Sequence, residues 1–364
     1  MKKMLSLMLA VLILAGLLAA CSGDSSSPAP EAPSFTVQMP GDDSSTAPEP
    51  EPEPEPPLER AFLTGLEKGP DYPEGKRITA VMMNNQYNAR PQNGTSEAQM
   101  IVEVLVEYGI TRMMAVYEDY EKIPEKVGGL RSARDQYFQL IIPYWAFFVH
   151  EGPSHPSHPV NVMMDQYAYH DFDVQAKYYP IYKADSSRST EQYNWYDVSG
   201  ASITKFIEET GADPSRTYNS PIFDFVPYTD PPRVPADGDA ASIAVTHSSS
   251  TISYFDYDAA TGKYAMSQYG GGGKHKTVDN LNSQQLAFEN VLVLFAPMDI
   301  WPNTAPENLP KFNYGDGGVG YYFSQGRYEL VLWRKGAAQD PLLLYTTSDD
   351  GQMVKVNTGK TYLA

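Results

Sequence analysis

Apolar and polar positions recur with two different periods, and the change of period divides the chain. Arg77-Ile78-Thr79-Ala80-Val81-Met82-Met83 is a short apolar run with a β-branched start, which predicts a strand. Ser96-x-x-Gln99 has the form of a capping box. Ala98, Ile101, Val102, Leu105 and Val106 follow at helical spacing, so a helix is expected there, with Gly109 as its C′ stop. Ile110 to Tyr117 reads as a second strand. Ser132-x-x-Asp135 offers another capping box for a helix running through Phe138 and Leu140 to Pro143. Ala146 to His150 is a third strand, and Ser199 opens a helix over Ile203 to Glu209 that Gly211 ends. Strands separated by helices imply parallel pairing in a layered α/β arrangement.

Beyond a Pro- and Asp-rich stretch the period shortens. Ser242–His247, Thr251–Tyr257, Val291–Ala296, Tyr321–Ser324, Arg327–Trp333, Leu342–Thr346 and Met353–Val356 read as short strands. Thr261-Gly262, Gln325-Gly326 and Asp350-Gly351 punctuate them as turns. The fold class expected is α+β / α/β. An N-terminal α/β layer sandwich with a mostly parallel sheet precedes a mostly antiparallel β-rich C-terminal domain.

The N-terminus has a different character. Lys2 and Lys3 precede an apolar run from Met4 to Leu17 that is too short for a comfortable membrane span. Leu18-Ala19-Ala20-Cys21 then places the only cysteine where a lipoprotein signal peptidase cuts. Lipid on Cys21 would tether the protein to the cell membrane on its extracytoplasmic face, leaving the fold without a disulfide. Ser22 to Glu59 is rich in Ser, Pro and acid and ends in alternating Glu-Pro, a composition that reads as a disordered, extended spacer. The organisation expected is 1–21 signal peptide, 22–60 linker, 61–212 α/β domain, 213–240 connector and 241–364 β-rich domain.

The formal charge is −18, with 45 acids and 27 bases. The spacer holds nine of the acids and the leader two of the bases, so the rest of the chain is near −11. That balance argues against nonspecific nucleic-acid binding and against adhesion to an anionic lipid surface.

Candidate chemistry centres on Arg90, Arg112, Arg131 and Arg134, with Arg188 as a further member. Guanidinium groups beside a glycine-flanked helix start, here Gly128-Gly129 before Ser132, can fork a phosphate, pyrophosphate or carboxylate. Against this, the same motifs carry Glu103, Glu107, Glu118 and Asp135, which could neutralise the arginines in one structural network. His150 ends a predicted strand, where α/β sheets place ligands, and joins the set. His155 and His158 each precede a proline in a loop and do not read as metal ligands; no metal or cofactor is expected. Tyr269-Gly270-Gly271-Gly272-Gly273-Lys274 lacks the spacing of a phosphate loop and reads as a hairpin loop. There is no G-x-S-x-G, and Cys21 is assigned to lipid.

Several motifs resemble the YerB-like lipoprotein family. They are Asn85, Ala89-Arg90-Pro91-Gln92-x-Gly94, Glu103, Val106-Glu107, Gly109-Ile110-Thr111-Arg112, Arg131-Ser132-Ala133-Arg134 and Val149-His150-x-Gly152. In the second half they are Glu289-Asn290-Val291, Gly318-x-Gly320-Tyr321, Leu332-Trp333-x-Lys335 and Asn357-x-Gly359-Lys360-Thr361. The likeness covers residues 62 to 360. It implies an N-terminal domain of unknown function (number 3048 in its series), a β-rich partner domain and a membrane address, with no set activity. In that family an acid usually stands where Asn84 and Gln99 are, so any chemistry of those carboxylates is absent here. The expected function is a lipid-anchored, non-catalytic binding or scaffolding module for an anionic envelope ligand or a protein partner. The alternative is an envelope transferase or hydrolase acting on phosphorylated or pyrophosphate-linked wall material. A distant analogy with enzymes that take wall polymers from a polyprenyl-pyrophosphate carrier points to the latter.

Overall fold

A central mixed sheet carries strands from both halves of the chain. The computed structural model describes residues 60–152, 158–169, 172–173, 183–184, 196–348 and 351–364. The leader, the spacer, Cys21, His155 and Arg188 lie outside them. Pro56–Ala364 forms one compact unit.

The first half supplies β1 (Thr79–Asn84), β2 (Met100–Leu105), β3 (Thr111–Tyr117), β4 (Val127–Gly128), β5 (Phe147–His150), β6 (Phe172–Asp173), β7 (Lys183–Ala184) and β8 (Tyr196–Val198). Its helices are α1 (Asp135–Ile141), α2 (Pro159–Gln166) and α3 (Gly200–Thr210). The second half supplies β9 (Gly238–Asp239), β10 (Ser242–Ser248), β11 (Thr251–Asp258), β12 (Lys263–Gly270), β13 (Gly273–Lys276), β14 (Ala287–Phe288) and β15 (Asn290–Leu294). It continues with β16 (Met298–Ile300), β17 (Pro310–Phe312), β18 (Gly318–Ser324), β19 (Arg327–Arg334), β20 (Leu343–Thr346) and β21 (Thr361–Leu363).

The main sheet runs β20-β19-β18-β15-β21-β2-β3-β1-β5-β6, with β9 on β19. Its first-half part contains the parallel pairs β1·β5 and β5·β6 beside the antiparallel pairs β1·β3 and β2·β3. The strand β21 sits between β2 and β15 and pairs in parallel with both. The second half also builds an antiparallel sheet, β10-β11-β12-β13, with β14 on β12.

Both faces of the main sheet are covered around β1 and β3, so these strands bury every position and lose the alternation of a half-exposed strand. All six residues of β1 and all seven of β3 are buried. One face packs against Tyr137, Phe138 and Ile141 of α1 and Val160 of α2. The other packs against Ile203 and Phe206 of α3 and against Phe255, Tyr264 and Met266 of the antiparallel sheet.

This double cover explains the main misreading. Met100–Leu105 is the strand β2, where helical spacing predicted a helix. A run apolar at nearly every position matches both templates, and here β-branched Ile101, Val102 and Val104 sit in a sheet buried on both sides. Ser96, expected to open a helix in a capping box with Gln99, lies instead in the single 3-10 turn Thr95–Glu97. Gly109 closes the β2–β3 connection at φ +70°, ending the 3-10 turn Glu107–Gly109 rather than an α-helix. The next helix starts at Asp135, after an extended Arg134, so Ser132 is not its cap. Met353 and Val356 make isolated bridges to Tyr345 and Phe225 and form no strand.

Two further expectations hold, while strands β1, β2 and β3 pair antiparallel where parallel pairing was expected. Ser199 caps α3 in a reciprocal bond pair with Ser202, and Gly211 ends it at φ +68°. The glycines after Tyr269 form the β12–β13 hairpin, with Gly271 and Gly272 both at positive φ. Among the described residues no helix is long and apolar enough to cross a membrane.

Candidate functional site

The motif Arg131-Ser132-Ala133-Arg134 leads into α1 and is zipped to the end of β5. The Ala133 N–H donates to the Gly152 carbonyl at 3.1 Å and the Glu151 N–H to the Arg131 carbonyl at 3.2 Å. The preceding glycines serve the sheet rather than a helix start. Gly128 exchanges backbone bonds with Asn93, and the Gly129 carbonyl accepts the Asn84 N–H at 2.9 Å.

Arg134 and Arg112 are buried, 1% and 2% exposed, and share one carboxylate. Arg112 Nη2 donates to Glu107 Oε1 at 2.7 Å. Arg134 donates through Nε to Glu107 Oε2 at 3.0 Å and through Nη2 to Oε1. Arg112 also donates to the Ser132 carbonyl, and Arg134 to the Ala133 carbonyl at 2.7 Å. Burial alone would raise the Glu107 carboxyl, but Arg112 and Arg134 outweigh it and bring it down to about 2. Burial lowers the Arg112 pKa well below its usual value, and repulsion from Arg134 and Arg131 adds to this against the attraction of Glu107.

Arg131 is half-buried at the rim of this group. Beside it, burial raises the Glu151 carboxyl to about 7, with Asp173 adding to the rise and Arg131 and Arg112 opposing it. Asp173 is engaged by the Gly152 N–H at 2.7 Å. His150 is fully buried at the end of β5, its ring 5.1 Å from that of Phe148. The structure therefore brings Arg112, Arg131, Arg134, Glu107 and Glu151 together, with His150 next in chain to the last.

Arg90 lies elsewhere. In the β2–β3 register Val104 faces Arg112 and Glu103 faces Met113, so Glu103 and Arg112 project from opposite faces of the sheet. Arg90 is on the Glu103 side, donating to the Asn85 carbonyl and, at 2.9 Å, to the Tyr269 carbonyl. Burial lowers its pKa and Glu103 partly restores it. Arg188 and His155 fall outside the described residues. His158 caps α2, its Nδ1 accepting the Val160 N–H at 3.1 Å.

Local sequence signals missed the buried cluster around Glu103. Asn85 Nδ2 at 2.9 Å and Thr111 Oγ1 at 2.6 Å donate to its Oε1. Ser253 Oγ at 2.8 Å and the Tyr362 hydroxyl at 2.9 Å donate to its Oε2. His247 Nε2 lies 3.7 Å away. These partners come from five segments, the loop after β1, β3, β10, β11 and β21, with no shared motif. Asp279 forms a second latch, accepting from the Gly94 and Ser96 N–H groups at 3.0 and 2.8 Å.

Comparison with known proteins follows the same division. The N-terminal model of "Protein of unknown function (DUF3048)" matches residues 63–213, and its C-terminal model matches 242–363. "Putative lipoprotein YerB" of Bacillus subtilis (strain 168) is 26% identical over 310 residues, covering 84% of this chain and 85% of that protein. The crystal structure of YerB from Bacillus subtilis superposes with a TM-score of 0.68 at 23% identity, covering 84% of this chain and 95% of the other, which shows a shared fold.

Proposed function

The chain belongs to the DUF3048 family, and from that premise we propose that it is a lipid-anchored, extracytoplasmic binding protein that holds an anionic envelope ligand or partner without turning it over. The address draws on the Lys2-Lys3, apolar run and Cys21 pattern, and on the lipoprotein description of the relative YerB. One observation carries the ligand chemistry. Arg112 and Arg134 both pair with the ionised Glu107, and burial first, then repulsion from Arg134 and Arg131, lowers the Arg112 pKa. An anion at Arg131 is attracted by the guanidinium charge gathered behind it. Arg131 is the contact, while Arg112 and Arg134 hold the loop and supply the field behind it.

The acids best placed for catalysis are committed to structure. Glu103 accepts bonds from both halves of the chain, Glu107 is held ionised by two arginines, and Asp135 accepts the Trp301 indole N–H at 3.2 Å. Glu151 favours the alternative reading, an envelope transferase or hydrolase, because a carboxyl that titrates near 7 beside Arg131 can give or take a proton.

Isothermal titration of inorganic pyrophosphate into the protein tests the reading. Saturable binding that Arg131→Ala abolishes supports it. No heat, or equal affinity in the variant, removes the anion site. Release of phosphate from a polyprenyl-pyrophosphate-linked sugar, lost in Glu151→Gln, supports the enzyme instead.

A further inference from the structure

A cavity of about 790 Å³ opens at the other end of the α1 segment. Arg134 precedes that helix, whereas Tyr144 closes the 3-10 turn Ile142–Tyr144 that follows it. Phe62 stacks on Tyr218 with centroids 4.1 Å apart, and Tyr144 meets Phe62 edge-on at 5.2 Å, so the aromatic wall is preformed. Leu342, Leu344 and Val354 continue the apolar lining.

Tyr72, Glu118 and Tyr144 line the cavity as well. The Tyr144 hydroxyl is buried and meets no hydrogen-bond partner among the described residues, which leaves both a donor and an acceptor unmet. The Tyr72 hydroxyl accepts the Phe62 N–H at 2.9 Å and keeps its own proton to donate. Glu118 Oε1 accepts the Leu63 N–H at 2.6 Å. Burial raises the Glu118 carboxyl to about 7, against the Leu63 bond and Lys68, so near neutrality it can donate as well as accept.

Three lysines of the lining are paired with carboxylates, while Arg60 donates to the Phe225 carbonyl at 2.8 Å and Arg216 also lines the cavity. Lys68 pairs with Glu74 at 2.6 Å, Lys76 with Glu121 at 2.7 Å and Lys355 with Asp224 at 2.8 Å. Flat aromatic faces beside groups that both donate and accept suit a ring whose faces are apolar and whose edges carry hydroxyls. We infer that the cleft walled by Phe62, Tyr144 and Tyr218 and edged by Glu118 and Tyr72 is a second binding site, specific for a saccharide. The site is independent of the anion reading at Arg131.

The test is isothermal titration of the full-length chain with two probes, the β-1,4-linked tetramers of N-acetylglucosamine and of glucose. Saturable binding of at least one is expected. Tyr144→Phe keeps the ring and deletes only the unmet hydroxyl, so it should melt no lower than wild type yet bind roughly five-fold more weakly, the worth of about one hydrogen bond. Saturating pyrophosphate should leave the tetramer affinity unchanged. Failure of both tetramers, equal affinity in Tyr144→Phe, competition by pyrophosphate, or binding of an unrelated hexapeptide at the tetramer site would each overturn the assignment.

Discussion

The Tyr362 hydroxyl donates to Glu103 Oε2 at 2.9 Å across 259 residues of chain, tying the last strand to the second. Both residues are fully buried, and β21 lies directly against β2. A hydrogen bond to a buried carboxylate contributes about 1.5–3 kcal/mol. Tyr362→Phe should therefore lower the urea midpoint by that equivalent, within a single transition seen alike by probes in either half. Separate transitions for the two halves would contradict the shared sheet.

Glu107 is ion-paired with two buried guanidinium groups. Replacing it by Gln removes the carboxylate that both share, a loss of about 3–5 kcal/mol for a broken buried pair. Chemical denaturation of Glu107→Gln should show that loss at pH 7. It should shrink toward pH 2, where the wild-type carboxyl also takes up a proton.

Glu118 has the opposite sign. Its folded pKa of about 7 stands above its ordinary value near 4.5, so the folded state holds a proton that the unfolded state has released. Stability from this group is fully present below about 4.5 and is lost as pH rises through 7. Glu118→Gln should melt with wild type at pH 4 and a few degrees higher at pH 8. Equal melting at both values would contradict the burial account.

The proposed membrane tether is lipid on Cys21. The wild-type chain should fractionate with the membrane and Cys21→Ala should not, because the apolar leader alone is too short to anchor it stably. Immunoblotting of fractions reads this directly.

Local pattern made β1, β3, β5 and α3 legible, since each carries its own apolar run and its own stop. It failed at β2, because Met100–Leu105 is apolar at nearly every position and so fits the helical and the strand period alike. It also failed at β21, three residues long, whose place between β2 and β15 is set by pairings far away in sequence. The arginine motif was visible as residue types. Nothing in Arg131-Ser132-Ala133-Arg134 says that Arg134 turns inward to Glu107 while Arg131 stays at the rim. That division follows from the loop being pinned to Gly152 and Glu151. The Glu103 cluster was hidden for a similar reason: Ser253 and Tyr362 become its partners only after folding.

Sulfate affinity measured between pH 8 and 6 tests the anion site most directly, because sulfate keeps its charge over that range while Glu151 gains a proton. Glu151 faces Arg131, Arg112 and Asp173 and follows His150 in the chain, so its protonation leaves the arginines with more net positive charge. The wild-type protein should bind sulfate several-fold more tightly at pH 6 than at pH 8. Glu151→Gln should bind tightly at both, and Arg131→Ala at neither. Absence of sulfate binding, or the same pH dependence in Glu151→Gln as in wild type, would contradict the account.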